Sequence, residues 1–474
     1  MYRVQRQLFL NGVIGDPYDF PRSTAEPLGA QQDLRSYWLI LAVVVLSYVW
    51  LLVRSRSPGW QAVAWLPLTL LGLGNLFTLR AKPSFSIDML SYLSHGYLAV
   101  TPGHNPYADA ASDVGNYPYG AALAAQGWSA IHLQSPYPPL WTHIEALTYR
   151  VSDGDVGLGL VAIKAVVLAA VFGSAVLVGS IARKIRPESA ALAACAFLGN
   201  PVVIMEFAGD GHNDALAVFF TLLAIRAALA DRVFPAVVAL GMAVLIKYTP
   251  IVFAPPILVI LLRGRRPTRE VIWHGLAGGA LLVVLTAWLW QKWWIGMATF
   301  SGISLSGTPA QVWSPASWFT RLFADPVTGE SGWAPRLILG TILLVVVLVF
   351  SWSKSTDQAV VGCTVIALVM VLVLPTYWPW YAALPIAILA LRPTWLSLGQ
   401  LLVITIGSRI AAPYGDLATL GVVDFNAMLE QNALRGVALP AAGCLLLTVF
   451  SFGLAAMRKR VRLAAGGEVS RRPG

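Results

Sequence analysis

The stretch Ser189-Ala-Ala-Leu-Ala-Ala-Cys195-Ala-Phe-Leu-Gly-Asn200-Pro-Val-Val-Ile-Met205-Glu-Phe-Ala-Gly-Asp210-Gly-His-Asn-Asp214-Ala-Leu-Ala-Val-Phe-Phe220 sets out the pattern of the whole chain. An apolar run over 189–205 meets a dense polar knot, Glu206 to Asp214, and a second apolar run follows over 214–230. A spanning helix needs about 20 mostly apolar residues, and each run comes close to that length. The simplest reading is two membrane helices joined by a short polar loop.

Further runs lie near 37–53, 60–79, 158–181, 271–290, 336–352, 358–374, 380–392, 394–410 and 436–457. Two shorter ones, 233–246 and 250–262, are split by Lys247-Tyr-Thr-Pro250. Together they predict an all-α, multi-pass helical bundle of about 13 spans. Composition agrees: 57% of the 474 residues are hydrophobic and only 12% are charged, where a soluble chain would be nearer a quarter charged.

Basic clusters follow alternate spans: Arg54 and Arg56, then Arg183, Lys184 and Arg186, then Arg263 to Arg269, then Arg458 to Arg462. The positive-inside rule puts these on the cytoplasmic side and the N-terminus outside. The net charge of +10 is thereby assigned to topology rather than to nucleic acid. Cys195, Cys363 and Cys444 all fall within apolar runs, far apart and odd in number, so neither a disulfide framework nor a zinc cluster is supported. The layout predicted is a polar N-terminal tail (1–36) without signal-peptide features, a membrane domain (37–457) whose first large outer segment is 80–157, and a basic cytoplasmic tail (458–474).

The polar residues capable of chemistry fall on the opposite, outer side. In Ser86-Ile-Asp88-Met-Leu-Ser-Tyr92-Leu-Ser-His95-Gly-Tyr97 a helix would place Asp88, Tyr92 and His95 on one face and Phe85, Met89, Leu93 and Gly96 on the other. That pattern predicts a short amphipathic helix lying in the interface, polar side up. Asp88 there is either a partly desolvated general base or a capping, solvated carboxylate. Gly103-His-Asn105-Pro-Tyr107 and Ser135-Pro-Tyr137-Pro-Pro139-Leu140 read as rigid turns presenting rings, for stacking on a sugar or for anchoring at the interface.

The knot itself holds Glu206, Asp210, His212, Asn213 and Asp214. It can bind a donor or cap the next helix through Asn213 or Asp214. Asp210, His212 and Asp214 also offer ligands that several divalent ions accept; the reading preferred here needs no metal and no cofactor. Lys247, at the end of an apolar run and just before Pro250, either snorkels or answers an anion. Lys164, within the third span, is a second candidate of that kind. Leu374-Pro375-Thr-Tyr377-Trp378-Pro379-Trp380-Tyr381 combines two prolines with four rings, which implies a shaped aromatic surface. Asp153-Gly-Asp155 has the spelling of a nucleotide-sugar metal motif, but no nucleotide-binding domain accompanies it, and it reads as a turn.

Asp88, Asn105 to Tyr107, Tyr137 to Leu140, Gly211 to Asp214, Lys247 to Pro250 and Trp378 to Tyr381 occur in an order that resembles the polyprenol-phosphate-mannose-dependent mannosyltransferases of the GT-C superfamily. The resemblance extends across residues 80–390. The long N-terminal tail and the span ahead of Asp88 depart from the simplest layout of that family. What the resemblance implies is a GT-C-type fold in the cell membrane, with its active site on the extracytoplasmic face. It also implies transfer of a hexose, most naturally mannose, from a polyprenyl-monophosphate sugar to a glycan or glycolipid acceptor. Asp88 would be the base, with Lys247, His212 and Lys164 near the donor phosphate. Tyr92, His95, Asn105, Tyr107, Tyr137, Asn213, Asp214, Tyr377 and Trp380 would shape the substrate pocket. A transporter or flippase of lipid-linked sugars is the rival from another class, since intramembrane charges and Pro-broken helices also occur there.

Overall fold

The structure, a computed structural model, describes residues 27–57, 59–60, 64–80, 86, 88–126, 128, 134–302, 316, 319–320, 322–323, 333–352, 355–374, 378–419, 440–448 and 450–451. Among these, the regular elements are helices and no β-strand occurs. In chain order the helices that matter for the site are α1 (Pro27–Arg54), α2 (Trp65–Phe77), α3 (Asp88–Val100), α4 (Pro139–Ser152), α5 (Val156–Ile185), α6 (Ala190–Leu198) and α7 (Asp214–Ala228). They continue with α8 (Val233–Ile246), α9 (Ala254–Leu262), α10 (Thr268–Trp290), α11 (Trp333–Ser351), α12 (Thr356–Val373), α13 (Ala383–Ala390) and α14 (Trp395–Thr419).

Among the described residues, five helical stretches are long and apolar enough to cross a bilayer: Tyr37–Arg54, Val156–Ile185, Thr268–Trp290, Trp333–Ser351 and Thr356–Val373. A bent pair, Pro187–Leu198 with Val203–Gly209, raises this to six, and shorter apolar helices stand where the sequence predicted most of the remaining spans. The helices divide into a central and a peripheral set. The span Thr356–Val373 is 67% buried, whereas Thr268–Trp290 is only 11% buried. The peripheral ones turn large apolar side chains outward, including Leu46, Val283 and Leu348, as lipid-facing helices do. Helix α1 begins ten residues before the predicted first span, inside the segment read as a polar tail.

The predicted span 189–205 is interrupted. Pro201 removes a backbone donor, and the chain turns by 61° between α6 and a π-helical segment at Val203–Gly209. Asn200 fixes this break. Its amide donates to Thr405 Oγ1 at 2.8 Å and to the Tyr48 hydroxyl at 3.2 Å, while its Oδ1 accepts from the Val202 N–H at 2.9 Å. One buried amide therefore binds α1, α14 and the break together.

Helix α3 does not lie on the surface with its polar side exposed, as predicted. It is buried on both faces, down to Met89, Leu93 and His95 at 0% exposure. The cause is packing against α4 on one side and α5 on another. Gly96 permits the first contact: a Cβ there would stand 2.5 Å from the Glu145 carbonyl oxygen. Because that neighbour is backbone, it cannot rotate out of the way. Asp153-Gly-Asp155 is a turn. Asp153 adopts φ 48°, Gly154 φ 76°, and Asp155 caps α5 by accepting from the Leu158 N–H at 2.7 Å.

Gly96→Ala is therefore expected to destabilise the protein by about 1–3 kcal/mol through overpacking, read as a lower melting temperature in detergent. Gly74→Ala, where a Cβ meets nothing within 4 Å, serves as the control and should hold or raise it.

Candidate functional site

The polar knot between α6 and α7 is shaped by two backbone features. The π-helical segment carries Glu206 on its inner face, and π-bulges occur frequently at functional sites. Gly211 then takes φ +69°, and an added Cβ would stand 2.3 Å from Met89 Sδ on α3. Only glycine lets the loop press against α3 there, and the result is to bring His212 up to Asp88.

Asp88, the first residue of α3, is 8% exposed, and its Oδ2 stands 3.3 Å from His212 Nδ1. The other ring nitrogen, Nε2, stands 3.3 Å from Glu206 Oε2. The second Glu206 oxygen, Oε1, is paired with the Arg409 guanidinium, which arrives from α14. His212, Glu206 and Arg409 are all at 0% exposure. The His212 ring stacks on Trp380 at 3.8 Å between centroids and 18° between planes, and Trp380 stacks in turn on Trp378 at 5.1 Å. Ser408, beside Arg409, donates to the Pro379 carbonyl at 2.8 Å and ties the aromatic turn to the same helix.

A second charge pair lies alongside. Lys247 Nζ donates to both oxygens of Asp214 at 2.7 Å and sits 4.4 Å from the centre of the Tyr381 ring. The left-over capacity is informative: an ammonium has three donors, and Asp214 takes two. A cavity of about 20 Å³ opens beside Lys247, Asp214 and Tyr381, with Val218, Met370 and Leu384 on its apolar side. Tyr92 and Tyr137 lie near the Asp88 charge, with ring centres 5.4 Å apart. Burial, with the Asp88 and Asp214 charges adding, holds the Tyr92 hydroxyl well above its ordinary value. Burial does the same for Tyr137, helped by Tyr92 and Asp88. Both therefore keep their protons.

The structure thus brings together Asp88, Tyr92, Tyr137, His212, Asp214, Lys247 and Trp380 from the residues predicted. Asn213 sits at the start of α7 but does not cap it, and both ends of its buried amide are without a hydrogen-bond partner among the described residues. Other predicted residues lie elsewhere or are committed otherwise. His95 faces Glu145 at 3.6 Å in the α3–α4 contact, and burial raises the Glu145 carboxyl above its usual range. Asn105 donates to the Trp293 carbonyl at 3.1 Å and accepts from the Tyr107 N–H, while the Tyr107 hydroxyl donates to the Tyr137 carbonyl at 2.9 Å. These two residues tie loops together. Lys164 donates to the Thr78 carbonyl at 2.9 Å and feels the charge of Asp210. Tyr377 lies outside the described residues.

The predicted grouping of Asp210, His212 and Asp214 is also revised, because Asp214 is taken by Lys247. Glu206, Asp210 and His212 instead present carboxylate and imidazole atoms within 4.8 Å of one another. That is a donor set a divalent ion accepts; Glu206 is also paired with Arg409, while both His212 nitrogens and Glu206 Oε2, 3.3 Å apart at their nearest, form no hydrogen bond among the described residues. The residue missed by sequence reasoning is Arg409. Its signal was a guanidinium within the apolar run 394–410, which on membrane energetics alone marks a partner or a site.

The chain is also similar to known proteins. A family model described as "Alpha-(1->6)-mannopyranosyltransferase, N-terminal domain" matches residues 19–263. The chain is 30% identical to Alpha-(1->6)-mannopyranosyltransferase A of Corynebacterium glutamicum over 177 residues, 37% of this chain and 34% of that protein. It is 24% identical to the protein of the same name from Mycobacterium tuberculosis over 382 residues, 72% of this chain and 71% of that one. The match thus spans about a third of the first relative's length and rather more than two thirds of the second's.

Removing one partner of a largely buried ion pair leaves the other uncompensated, a loss of about 3–5 kcal/mol at full burial. Lys247→Met should thus lower the denaturation midpoint in detergent clearly, and adding Asp214→Asn should recover most of the loss. Equal midpoints for the single and double variants would show that the pair carries no coupling.

Proposed function

The chain belongs to the alpha-(1->6)-mannopyranosyltransferase family, and from that premise we propose that it transfers mannose from a polyprenyl-monophosphate donor to a glycan or glycolipid hydroxyl. The reaction takes place on the extracytoplasmic face of the cell membrane. The observation that supports this reading is the convergence of Asp88, His212 and the Asp214–Lys247 pair from segments distant along the chain, with the last pair lining a small cavity.

The chemistry follows from the charges. Asp88 accepts the proton of the acceptor hydroxyl as that oxygen bonds to the anomeric carbon of mannose. The bond from that carbon to the lipid phosphate oxygen breaks in the same step, and its electron pair leaves on the phosphate. This is one inverting displacement, so a single carboxylate suffices, in contrast to the carboxylate pair of glycoside hydrolysis. The leaving phosphate needs charge stabilisation, which the third donor of Lys247 supplies. The apolar side of the cavity, at Val218, Met370 and Leu384, suits the start of the lipid chain. Tyr92 and Tyr137 offer hydroxyls to the sugar, and Trp380 holds the His212 ring beside it. The name shared by the two relatives, an α-(1→6)-mannosyl transfer, supports mannose as the sugar and a primary hydroxyl as its acceptor.

The test is transfer from polyprenyl-phosphate-mannose to short mannosides in proteoliposomes, followed by mass spectrometry. Asp88→Asn should lower turnover by about 10²–10⁴-fold, the usual contribution of general-base catalysis, while donor binding persists. Lys247→Gln should chiefly raise the KM for the donor. Wild-type protein that moves lipid-linked sugar between leaflets and never forms a glycoside would sink the proposal in favour of a flippase.

A further inference from the structure

We infer that Glu206, Asp210 and His212 form a binding site for one divalent transition-metal ion of the zinc type, set behind the reaction centre rather than in it. The site is read from its own geometry and stands whether or not Asp88 is the base.

One short loop supplies all three ligands. Glu206 lies within the π-helical segment Val203–Gly209, Asp210 ends that segment, and Gly211 at φ 69° turns the chain so that His212 comes back over it. Backbone hydrogen bonds lock the return. The Asp210 N–H donates to the Met205 carbonyl at 2.9 Å, the Gly211 N–H to the Phe207 carbonyl at 2.9 Å, and the His212 N–H to the Glu206 carbonyl at 3.2 Å. The three side chains thereby present two carboxylate oxygens and one ring nitrogen within 4.8 Å of one another.

The hydrogen bonding sets this group apart from an ordinary acidic cluster. All three residues are at 0% exposure, and buried polar atoms are almost always satisfied. Yet Glu206 Oε2 and both ring nitrogens of His212 have no hydrogen-bond partner among the described residues. Oε2 and Nε2 nonetheless stand 3.3 Å apart. Two ligand atoms, each about 2.0–2.2 Å from a tetrahedral ion, lie about 3.3–3.6 Å from one another. The pair is spaced for a shared ion.

The surrounding charges select the kind of ion. Glu206 Oε1 is held by the Arg409 guanidinium, and the Lys164 charge acts on Asp210. Ligating carboxylates are ordinarily held by such outer partners, which here orient the carboxylates but also repel a dication. Mg²⁺ and Ca²⁺, which prefer an all-oxygen shell, are disfavoured. An imidazole with two carboxylates suits zinc, which stands high in the affinity order for nitrogen and oxygen donors. Three buried protein ligands leave one position of a tetrahedral ion for water. The cavity beside Lys247 is lined by none of the three, so the ion's work is to clamp the loop. Bound at Nε2, it leaves Nδ1 as the nitrogen that faces Asp88 Oδ2 at 3.3 Å.

The test uses the full chain in detergent, carrying no polyhistidine tag and purified without added metal. Elemental mass spectrometry should find about one zinc per chain. After stripping with a chelator, Zn²⁺ should raise the melting temperature by about 2 °C or more, as a ligand of the folded state does, while Mg²⁺ and Ca²⁺ should not. Co²⁺ in its place should give the strong visible absorption of a four-coordinate site. Asp210→Asn and His212→Phe, the latter keeping a ring against Trp380, should each lower Zn²⁺ affinity by at least about 10–100-fold, the loss typical of removing even an outer partner. His274→Gln, at an exposed position on α10, should keep the wild-type zinc content. Wild-type protein that holds no zinc as purified and shows neither the thermal shift nor the cobalt spectrum overturns the inference. So does zinc that both ligand variants retain at wild-type affinity, or a thermal response to Mg²⁺ or Ca²⁺ in place of Zn²⁺. Should the ligand variants fail to fold, the cobalt spectrum of the wild type decides, and weak six-coordinate absorption overturns the site. Turnover is not read, so loss of this site leaves Asp88 as base to be judged by Asp88→Asn alone.

Discussion

Four carboxyl groups buried at one end of a membrane bundle have to be neutralised from within the protein. Water is excluded from Glu206, Asp210 and His212, all at 0% exposure, and a lone buried charge is far more costly than any single packing defect. The partners therefore come from wherever the fold can bring them. Arg409 travels from α14 to reach Glu206, Lys247 from the end of α8 to reach Asp214, and Lys164 from the middle of α5 to lie near Asp210. Each of these pairs is a long-range tertiary contact. The site and the packing of the bundle are one constraint rather than two.

Close backbone approach is what makes the pairs short. Gly211 brings His212 against α3, and Gly96 brings α3 against α4. The Trp378–Trp380 stack covers the imidazole ring and fixes its plane, with its nitrogens 3.3 Å from carboxylate oxygens of Asp88 and Glu206. The aromatic turn is in turn tied to α14 through Ser408, one residue from Arg409. Helix α14 thus delivers a cation to Glu206 and holds the turn that roofs His212.

Apolar run length located most helices, and the Lys247-Tyr-Thr-Pro250 break fell where α8 ends at Ile246. Those features are local, and local sequence encodes them. Asp88, His212, Asp214 and Lys247 were legible as chemistry because each sat at the edge of an apolar run, where a charge is expensive. The pairing was not legible, because it depends on which residues the fold makes neighbours. His95 illustrates this. Helical spacing put it on the face of Asp88 and Tyr92, yet its partner is Glu145, across a contact that only the close approach at Gly96 permits. The burial of α3 was missed for a related reason. An amphipathic pattern distinguishes two faces, but it cannot tell a wet polar face from one packed against other polar groups.

The match to the N-terminal family domain ends at residue 263, and the electrostatics give that boundary a physical meaning. Within 19–263 lie all four carboxyl groups, His212, and only two of the cations, Lys164 and Lys247. The third cation, Arg409, and the stacked ring of Trp380 both lie beyond it. The N-terminal half by itself would hold Glu206 without its guanidinium and His212 without its aromatic roof. Docking of α14 and the Trp378–Tyr381 turn therefore supplies the guanidinium of Glu206 and the stacked ring of His212. A half that carries Glu206 but lacks this counter-charge gains stability from association with the other half, beyond the burial of apolar surface. Folding of the second half onto the first and burial of Glu206 beside its guanidinium are the same event.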